Sequence, residues 1–381
     1  MARKKIIPYG HQSIDRRDVA AVTHVLKSDW LTQGPTGAAF EEALARYCEA
    51  RYAVAFSSGT AALHGAFSVA GLTRGDEFIT SPLTFAATSN AGLYVGAMPV
   101  FADIDERGNL DPASVALKIN KKTKAIVVVD YAGYPVDLDE FRLLAKKHNL
   151  LLIEDACQAL GATYHAQKIG SLSDLTVFSF HPVKSMTTGE GGAVVTNDRG
   201  YYERLKSFRT HGIVKSNFVS KTALDGDWYQ EMQSLGFNYR MTDMQASLGI
   251  SQLKKVDTFL SKRYTIAARY DRELSHLIDR LILPNLKRNS TRSAFHLYVI
   301  RVMGGPEKRL YVFNQMRKAG IGVQVHHIPV YWHPYYQRLG YAKGLCPRAE
   351  KFYGESISLP IFPTLSATDQ KKVIDTLSQI L

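Results

Sequence analysis

Short apolar segments alternate with amphipathic stretches through the first two thirds of the chain. The apolar segments predict strands at Tyr52–Phe56, Glu77–Thr80, Pro99–Asp103, Lys124–Asp130, Leu150–Glu154, Leu175–Phe180 and Ala193–Thr196. Between them, apolar residues recur at helical spacing around residues 59–70, 84–95, 112–119 and 138–148. Near-continuous apolar strands separated by helices are typical of a mostly parallel sheet that is covered on both faces. The pattern therefore predicts a large α/β domain.

The pattern changes from about Met241. The elements that follow are a long helical stretch to about residue 280, a strand at Phe295–Met303, a helix at 307–319, a strand at 322–326 and a terminal helix near 366–380. These elements predict a smaller α+β domain. We expect residues 1–240 to form an N-terminal segment and the large domain, and residues 241–381 to form the smaller one. No low-complexity linker separates the two, so we expect them to pack together.

Composition narrows the class of protein. The chain has 381 residues, of which 45% are hydrophobic and 22% charged, as in folded globular proteins. Its apolar runs, such as AIVVV at 125–129, are far shorter than the roughly 20 residues of a membrane span. There is no secretory signal pattern, and three widely spaced cysteines suggest no disulfide framework. We expect a cytoplasmic protein that does not bind membranes.

A formal net charge of +12 favours anionic partners. Nucleic acid and a small phosphorylated cofactor or nucleotide-linked substrate both fit that charge. No nucleic-acid-binding motif is present, so we expect no nucleic acid partner.

The first segment with chemical potential is Ser58-Gly59-Thr60, where a predicted strand turns into a helix. Free amide groups and hydroxyls at such a helix start favour an anion, although a simple helix cap is an alternative interpretation. The segment is not a GxGxxG fingerprint, which disfavours a dinucleotide site.

Two further segments follow strand ends. Asp155 ends an apolar strand, with Gln158 just after it, and in a doubly wound sheet such ends open onto the ligand crevice. A third strand delivers Ser179 and His181, and Lys184 follows in the next loop. A lysine whose pKa is lowered in a crevice can attack carbonyls as a neutral amine. A phosphate site, an acid and a lysine at neighbouring strand ends are what pyridoxal phosphate requires.

With these motifs, together with WLTQGP at 30–35 and GFNYRMTD at 236–243, the chain resembles the DegT/DnrJ/EryC1/StrS sugar aminotransferase family over nearly its whole length. The resemblance implies the type I aminotransferase fold, with a large, mostly parallel seven-stranded sheet domain and a smaller C-terminal α+β domain. It also implies pyridoxal 5'-phosphate as cofactor and a homodimer whose active sites are shared between subunits.

The resemblance further implies the roles of individual residues. Lys184 would form the Schiff base with the cofactor and move the proton, and Asp155 would pair with the pyridinium nitrogen. Gln158 would bind the ring hydroxyl, and Phe85 would stack on the ring unless it is an ordinary core phenylalanine. The phosphate would be held by Ser58, Gly59, Thr60 and Ser179, and by Asn238 from the neighbouring subunit.

The C-terminal segments resemble the branch of this family that acts in pseudaminic acid biosynthesis. Its members aminate C4 of UDP-2-acetamido-2,6-dideoxy-β-L-arabino-hexos-4-ulose, with L-glutamate as the expected donor. This sequence has His327 where the HYIP motif of that branch has tyrosine. The substrate-binding positions implied by the resemblance are Tyr9, Leu31, Thr32, Gln33, His181, His326, His327, Ile328 and Pro329.

Several alternatives remain open at this point. Another nucleotide-linked 4-keto or 3-keto sugar would suit the same residues. From a different class, an NAD-dependent sugar-nucleotide dehydratase or epimerase would require the missing GxGxxG, and a pyridoxal-phosphate-binding regulator would leave Lys184 without a purpose. Relatives with histidine in place of the lysine catalyse dehydration, which Lys184 argues against. His326, His327 and His333 lack a nearby carboxylate or cysteine, so we expect no metal site.

Overall fold

The architecture was analysed in a computed structural model that describes residues 6–284 and 290–381. Its strands are β1 Tyr52–Phe56, β2 Glu77–Thr80, β3 Met98–Phe101, β4 Thr123–Val129, β5 Leu151–Asp155, β6 Thr163–Tyr164, β7 Gln167–Lys168, β8 Leu175–Ser179, β9 Gly192–Thr196, β10 Ile213–Val214, β11 Glu231–Met232, β12 Leu281–Ile282, β13 Tyr298–Val302 and β14 Ser356–Leu359. Its α-helices are α1 Arg16–Leu26, α2 Pro35–Tyr47, α3 Gly59–Val69, α4 Ala87–Tyr94, α5 Pro112–Ala116, α6 Leu138–His148, α7 Arg199–Phe208, α8 Asp243–Leu253, α9 Val256–Glu273, α10 Gly305–Lys318, α11 Pro334–Arg338, α12 Pro347–Glu355 and α13 Ala367–Ile380.

The large sheet has seven strands in the order β1-β9-β8-β5-β4-β2-β3. The strands from β8 to β3 are parallel, and only β9 runs antiparallel to its two neighbours. The predicted mostly parallel, seven-stranded sheet is therefore confirmed. Because β1 and β8 both pair antiparallel with β9, the carboxyl ends of β1, β8 and β5 lie at the same edge of the sheet.

Apolar clusters cover both faces of this sheet. One contains Phe40, Ile126 and Phe178, and the other contains Phe67, Val127 and Val177. Neighbouring residues of β4 and β8 thus face opposite clusters, as the alternation of side chains along a strand requires. The uninterrupted apolar runs in the sequence follow from this burial on both sides.

A third cluster lies around the antiparallel sheet β12-β13-β14 and the helices α10 and α13. Ile7 from the N-terminal segment packs into this cluster, and Ile7 pairs with Ile321. Ala246 of α8 and Leu260 of α9 instead pack into the first cluster of the large sheet. The domain boundary at 240/241 stays a prediction.

One predicted element differs from the structure. Residues 322–326 do not form a strand, and Gln324 makes a single bridge to Ser358 of β14. The third strand of the small sheet is β14 itself. After Gln324 the chain leaves the small sheet. Residues 324–327 form part of the wall of a cavity.

Candidate active site

A cavity of about 550 Å³ opens at the carboxyl edge of the large sheet, a size typical of small-molecule sites. Its walls come from the ends of β5 and β8, the start of α3, and the segment 324–327 that leaves the small sheet. The predicted site residues that line it are Tyr9, Ser58, Gly59, Thr60, Phe85, Asp155, Gln158, Ser179, His181, Lys184, His326 and His327. Residues far apart in sequence are therefore brought to one place.

Ser58 and Gly59 form the start of α3. The Ser58 hydroxyl accepts a hydrogen bond from the Ala61 amide at 3.1 Å, which identifies Ser58 as the helix N-cap. Phe56 and Ser179 both pair with Gly192, so the loop after β1 meets the end of β8. A Cβ atom on Gly59 would lie 2.8 Å from the Ser179 Cβ, which explains the need for glycine. A helix start beside serine and threonine hydroxyls suits a phosphate.

Asp155 lies at the end of β5 and is 5% exposed. Its Oδ2 accepts a hydrogen bond of 2.6 Å from the Thr88 hydroxyl, and its Oδ1 accepts one of 3.2 Å from the Cys157 amide. The Thr88 hydroxyl is also bonded to that of Thr84, at 2.8 Å. These donors fix the orientation of the carboxylate within the cavity wall. Thr84 and Thr88 were not predicted as site residues, because a hydrogen bond between residues 67 positions apart has no local signature in the sequence.

Lys184 follows β8 and reaches the same cavity. Its amide donates to the carbonyl of His181 at 2.9 Å, which closes the turn between them. Removal from water lowers the pKa of the Lys184 ammonium group, whereas the nearby Cys157 and Asp155 oppose this shift. A lysine with a lowered pKa is more readily available as a neutral nucleophile.

Gln158 and Phe85 are far apart in sequence, and both line this cavity. The side-chain carbonyl of Gln158 accepts a hydrogen bond from the Ala132 amide at 2.8 Å, which leaves the amide NH₂ group for a ligand. Phe85 is 64% exposed, so it is not an ordinary core phenylalanine. Its ring centroid lies 6.1 Å from that of His327.

Four imidazoles line the cavity, those of the exposed His181 and of His296, His326 and His327. His326 is held by Ser358, whose hydroxyl lies 2.8 Å from Nδ1, and by Tyr131, which donates to its carbonyl at 2.5 Å. Burial lowers the pKa of His326 to about 4 and lowers the pKa values of His296 and His327 well below the usual range. His296 was not predicted as a site residue, because the sequence places it within the strand predicted at Phe295–Met303, an ordinary core element.

The other predicted site residues do not line this chain's cavity. Leu31, Thr32 and Gln33 are exposed, and their segment is tied to α8 by a bridge between Thr32 and Thr242. Asn238 is also exposed and pairs with Thr210. Ile328 and Pro329 continue the chain beyond His327 without reaching the cavity surface.

The cavity residues fit pyridoxal phosphate. The start of α3 with Ser179 suits its phosphate, the oriented Asp155 carboxylate suits its ring nitrogen, and Lys184 suits its aldehyde. Within residues 6–284 and 290–381, no group of three or more histidine, cysteine or acidic side chains is arranged to hold a metal ion. In the same part of the chain, no helix combines the length and hydropathy required to cross a bilayer.

Known proteins share this fold over the whole chain. An aminotransferase of Helicobacter pylori, PseC, described as involved in the biosynthesis of pseudoaminic acid, matches with a TM-score of 0.92 at 36% identity, covering 99% of both chains. The pyridoxal-phosphate form of a putative sugar aminotransferase, Spr1654 from Streptococcus pneumoniae, matches with a TM-score of 0.91 at 30% identity, covering 98% of both. The type I aminotransferase fold is therefore confirmed.

Proteins of similar sequence point to the same class of enzyme as the similar structures. A UDP-4-amino-4,6-dideoxy-N-acetyl-β-L-altrosamine transaminase of Campylobacter jejuni is 41% identical, over 99% of this chain and 98% of its own. The spore coat polysaccharide biosynthesis protein SpsC of Bacillus subtilis is 38% identical, over 100% of this chain and 98% of its own. The model of one family, described as the DegT/DnrJ/EryC1/StrS aminotransferase family, matches residues 12–378. This excludes the dehydratase or epimerase of the NAD-dependent class, and the chain belongs to the DegT/DnrJ/EryC1/StrS aminotransferase family.

Proposed function

We propose that this protein transfers the amino group of L-glutamate to C4 of UDP-2-acetamido-2,6-dideoxy-β-L-arabino-hexos-4-ulose, a step of pseudaminic acid biosynthesis. The observation that carries the chemistry is the placement of Lys184 in one cavity with Asp155 and the start of α3. The choice of sugar is supported by the names of relatives in Campylobacter and Helicobacter that align over nearly the full chain.

Bound pyridoxal phosphate supplies an electron-withdrawing ring that acidifies the carbon bearing the amine. Lys184 holds the cofactor covalently, and its amine then carries a proton between the substrate carbon and the cofactor. Its lowered pKa favours the neutral, proton-accepting form. Asp155, oriented by Thr88, holds the proton on the ring nitrogen and so keeps the ring electron-poor.

The remaining cofactor contacts orient the ring. Ser58, Gly59, Thr60 and Ser179 bind the phosphate through the helix start and the hydroxyls. Gln158 donates its free amide hydrogens to the ring hydroxyl, and the exposed face of Phe85 stacks on the ring. These residues would hold the ring and its phosphate in the cavity that Lys184 also lines.

The sugar nucleotide occupies the outer part of the cavity. We assign its binding to Tyr9, His181, His326 and His327 from the cavity wall, with Ile328 and Pro329 continuing the same loop. The Tyr9 and His326 rings lie 5.4 Å apart and form one surface. Leu31, Thr32 and Gln33 are exposed on this chain and are assigned to the same substrate in a shared site.

The proposal includes a homodimer in which Asn238 binds the phosphate of the partner's cofactor. Phe237 and Tyr239 on either side of Asn238 are stacked at 5.0 Å and pack against the core, so Asn238 between them faces outward. Large apolar side chains near this segment are also exposed: Leu224 is 92%, Trp228 77% and Leu235 78% exposed. Several large exposed apolar residues within one stretch of the chain are typical of a surface that binds another protein. We also propose a cytoplasmic location, where sugar nucleotides and reduced thiols are found.

A substrate panel tests the sugar. The holoenzyme is incubated with L-glutamate and UDP-, GDP- or dTDP-linked 4-keto sugars, and products are identified by NMR. We expect the 4-amino product of the UDP-linked β-L-arabino 4-ulose to form fastest. Faster amination of another 4-keto or 3-keto nucleotide sugar would overturn the choice of sugar and leave the aminotransferase chemistry intact. The similarity to SpsC, a spore coat polysaccharide biosynthesis protein, supports such an alternative.

A further inference from the structure

His296 is a buried cavity residue for which the proposed contacts with cofactor and sugar provide no role. Its side chain lines the cavity and the residue is only 6% exposed. Its Nδ1 atom is enclosed, and no hydrogen bond joins it to any residue in the described part of the chain. A buried polar group without a partner is costly, so such a group at a ligand cavity indicates a ligand contact.

The backbone holds His296 beside Gln158. The amides of Ala294 and Leu297 donate to the carbonyls of Gly133 and Ala132, at 2.8 and 3.2 Å. Ala132 in turn donates to the Gln158 side chain. A Cβ atom on Gly133 would lie 2.6 Å from the backbone carbonyl oxygen of Gln158 and 3.1 Å from the His296 amide nitrogen, so both segments pack closely against Gly133.

A buried arginine, Arg263, holds the backbone of the segment that contains His296. The Arg263 guanidinium is 1% exposed and donates to the carbonyls of Phe295 and Ile361, at 3.0 and 2.9 Å. It also approaches the His296 carbonyl at 3.4 Å. Arg263 therefore sets the position of His296 through the backbone and does not line the cavity itself.

The amino donor requires a group that binds its carboxylate close to Lys184. Every α-amino acid carries a carboxylate on the carbon that bears the amine, so that carboxylate must lie close to Lys184 when the amine reacts. Among the described residues that line the cavity there is no arginine, the usual partner of a carboxylate. His326 is bonded to Ser358, and His327, whose Nε2 also has no partner among the described residues, is assigned to the sugar. His296, next to the proposed ring-hydroxyl contact Gln158, is the imidazole without an assigned contact.

We propose that His296 binds the α-carboxylate of the amino donor. This inference rests on the proposed aminotransferase function but not on the identity of the sugar or of the side chain of the donor. The groups whose charges act on His296 are Lys184, Arg263, His326 and His327, all of them basic, and together with burial they keep its imidazole neutral. A bound carboxylate places a negative charge beside the imidazole and favours its protonated form. His296 therefore takes up a proton from solvent and forms a charge-assisted hydrogen bond.

The donor half-reaction tests the assignment without any sugar. The holoenzyme is mixed with L-glutamate or with L-isoglutamine, whose α-carboxylate is replaced by an amide, and the loss of visible cofactor absorbance is followed. We expect His296→Leu to lower kcat/KM for L-glutamate about 10–100-fold and to change that for L-isoglutamine less than threefold. Equal losses for both donors, or no loss for glutamate, would overturn the proposal.

Ligand binding provides a second measurement that does not depend on turnover. Binding of 2-oxoglutarate to the holoenzyme in its pyridoxal form is measured by calorimetry in buffers of different ionisation enthalpy. We expect wild type to take up a proton on binding and His296→Gln, which keeps a donor but does not titrate, to bind without uptake. Uptake unchanged in His296→Gln contradicts the assignment. His276→Gln, a change at an exposed histidine, is the matched control.

The outcomes separate this inference from the proposed function. If wild type accepts amino groups from α-amino acids and His296→Leu and His296→Gln behave like wild type, only the role of His296 fails. If wild type accepts no amino group from any donor, the aminotransferase proposal fails. Should His296→Leu not fold, as judged by its cofactor spectrum, His296→Gln carries the test alone.

Discussion

The Thr88 hydroxyl donates a hydrogen bond of 2.6 Å to the Asp155 carboxylate, although the two residues lie on different elements of the large domain. Thr88 belongs to α4 and Asp155 ends β5. This contact orients the acid that we assign to the ring nitrogen of the cofactor, and it makes Thr88 a positioning residue.

We expect Thr88→Val to weaken the effect of Asp155 while leaving the shape of the site nearly unchanged. A hydrogen bond to a charged group contributes about 1.5–3 kcal/mol, so single-turnover amination should slow about 10–100-fold. Thr88→Ser keeps the hydroxyl and should remain within about threefold of wild type. A rate for Thr88→Val equal to that of Thr88→Ser would show that the hydroxyl has no such role.

Asp155→Asn preserves the size of the side chain and removes its charge. The ring nitrogen then loses the group that keeps it protonated, and the ring withdraws electrons less strongly. We expect a loss of about 10²–10⁴-fold in rate, by analogy with other electrostatic catalytic groups. Single-turnover kinetics check this, and a rate within tenfold of wild type would contradict the assigned role.

Lys184→Ala should abolish the covalent link to the cofactor. We expect wild type to absorb in the visible, and borohydride reduction followed by peptide mass spectrometry to place the pyridoxyl label on Lys184. The variant should lose both the label and its activity. Label on another lysine of the wild-type protein would refute the assignment.

Complementation between variants tests the shared site. Asn238→Asp places a carboxylate beside the partner's phosphate, whereas Lys184→Ala destroys the site of its own subunit. If Asn238 acts across the dimer, a mixed dimer has one site with both lesions and one with neither. Mixing the two variants should therefore restore about half of wild-type activity per mixed dimer. With subunit exchange verified by native mass spectrometry, absence of recovery would show that Asn238 acts within its own subunit or not at all.

Two buried carboxyl groups predict a pH dependence of stability. Asp130 and Glu154 are both 0% exposed, and burial together with the nearby Glu154 raises the pKa of Asp130 well above its usual range. Folded protein then retains a proton that unfolded protein releases above a pH of about 4. This contribution is fully present below that pH and is lost as pH rises toward the pKa of Asp130 in the folded state.

Asp130→Asn mimics the protonated side chain and should remove this contribution to the pH dependence. Its Oδ1 can still accept from the Val136 amide, as the aspartate does at 3.0 Å. We expect the variant to gain stability relative to wild type as pH rises from 5 to 8, measured by thermal unfolding of the two holoproteins. Asp279→Asn, at an exposed position, is the control. A constant difference between Asp130→Asn and wild type across this range would contradict the prediction.

The sequence by itself determined the strands of the large sheet and the chemical groups at their ends. Runs such as AIVVV are apolar because β4 is buried on both faces, and that burial is recorded locally. Asp155 and Lys184 could be assigned because each follows such a run, and strand ends in this class of sheet meet at one edge.

Only the tertiary structure decided which groups from distant parts of the sequence lie next to Asp155 and Lys184. Residue periodicity reports that one face of an element is buried, but not which element covers it. The fold brings Thr88 of α4 within hydrogen-bond distance of Asp155 at the end of β5, and residues 324–327 form part of the cavity wall. His296 enters the cavity because its neighbours Ala294 and Leu297 donate to the backbone of Gly133 and Ala132, and because Arg263 holds the carbonyl of Phe295. These contacts depend on long-range packing, so no local pattern of the chain encodes them.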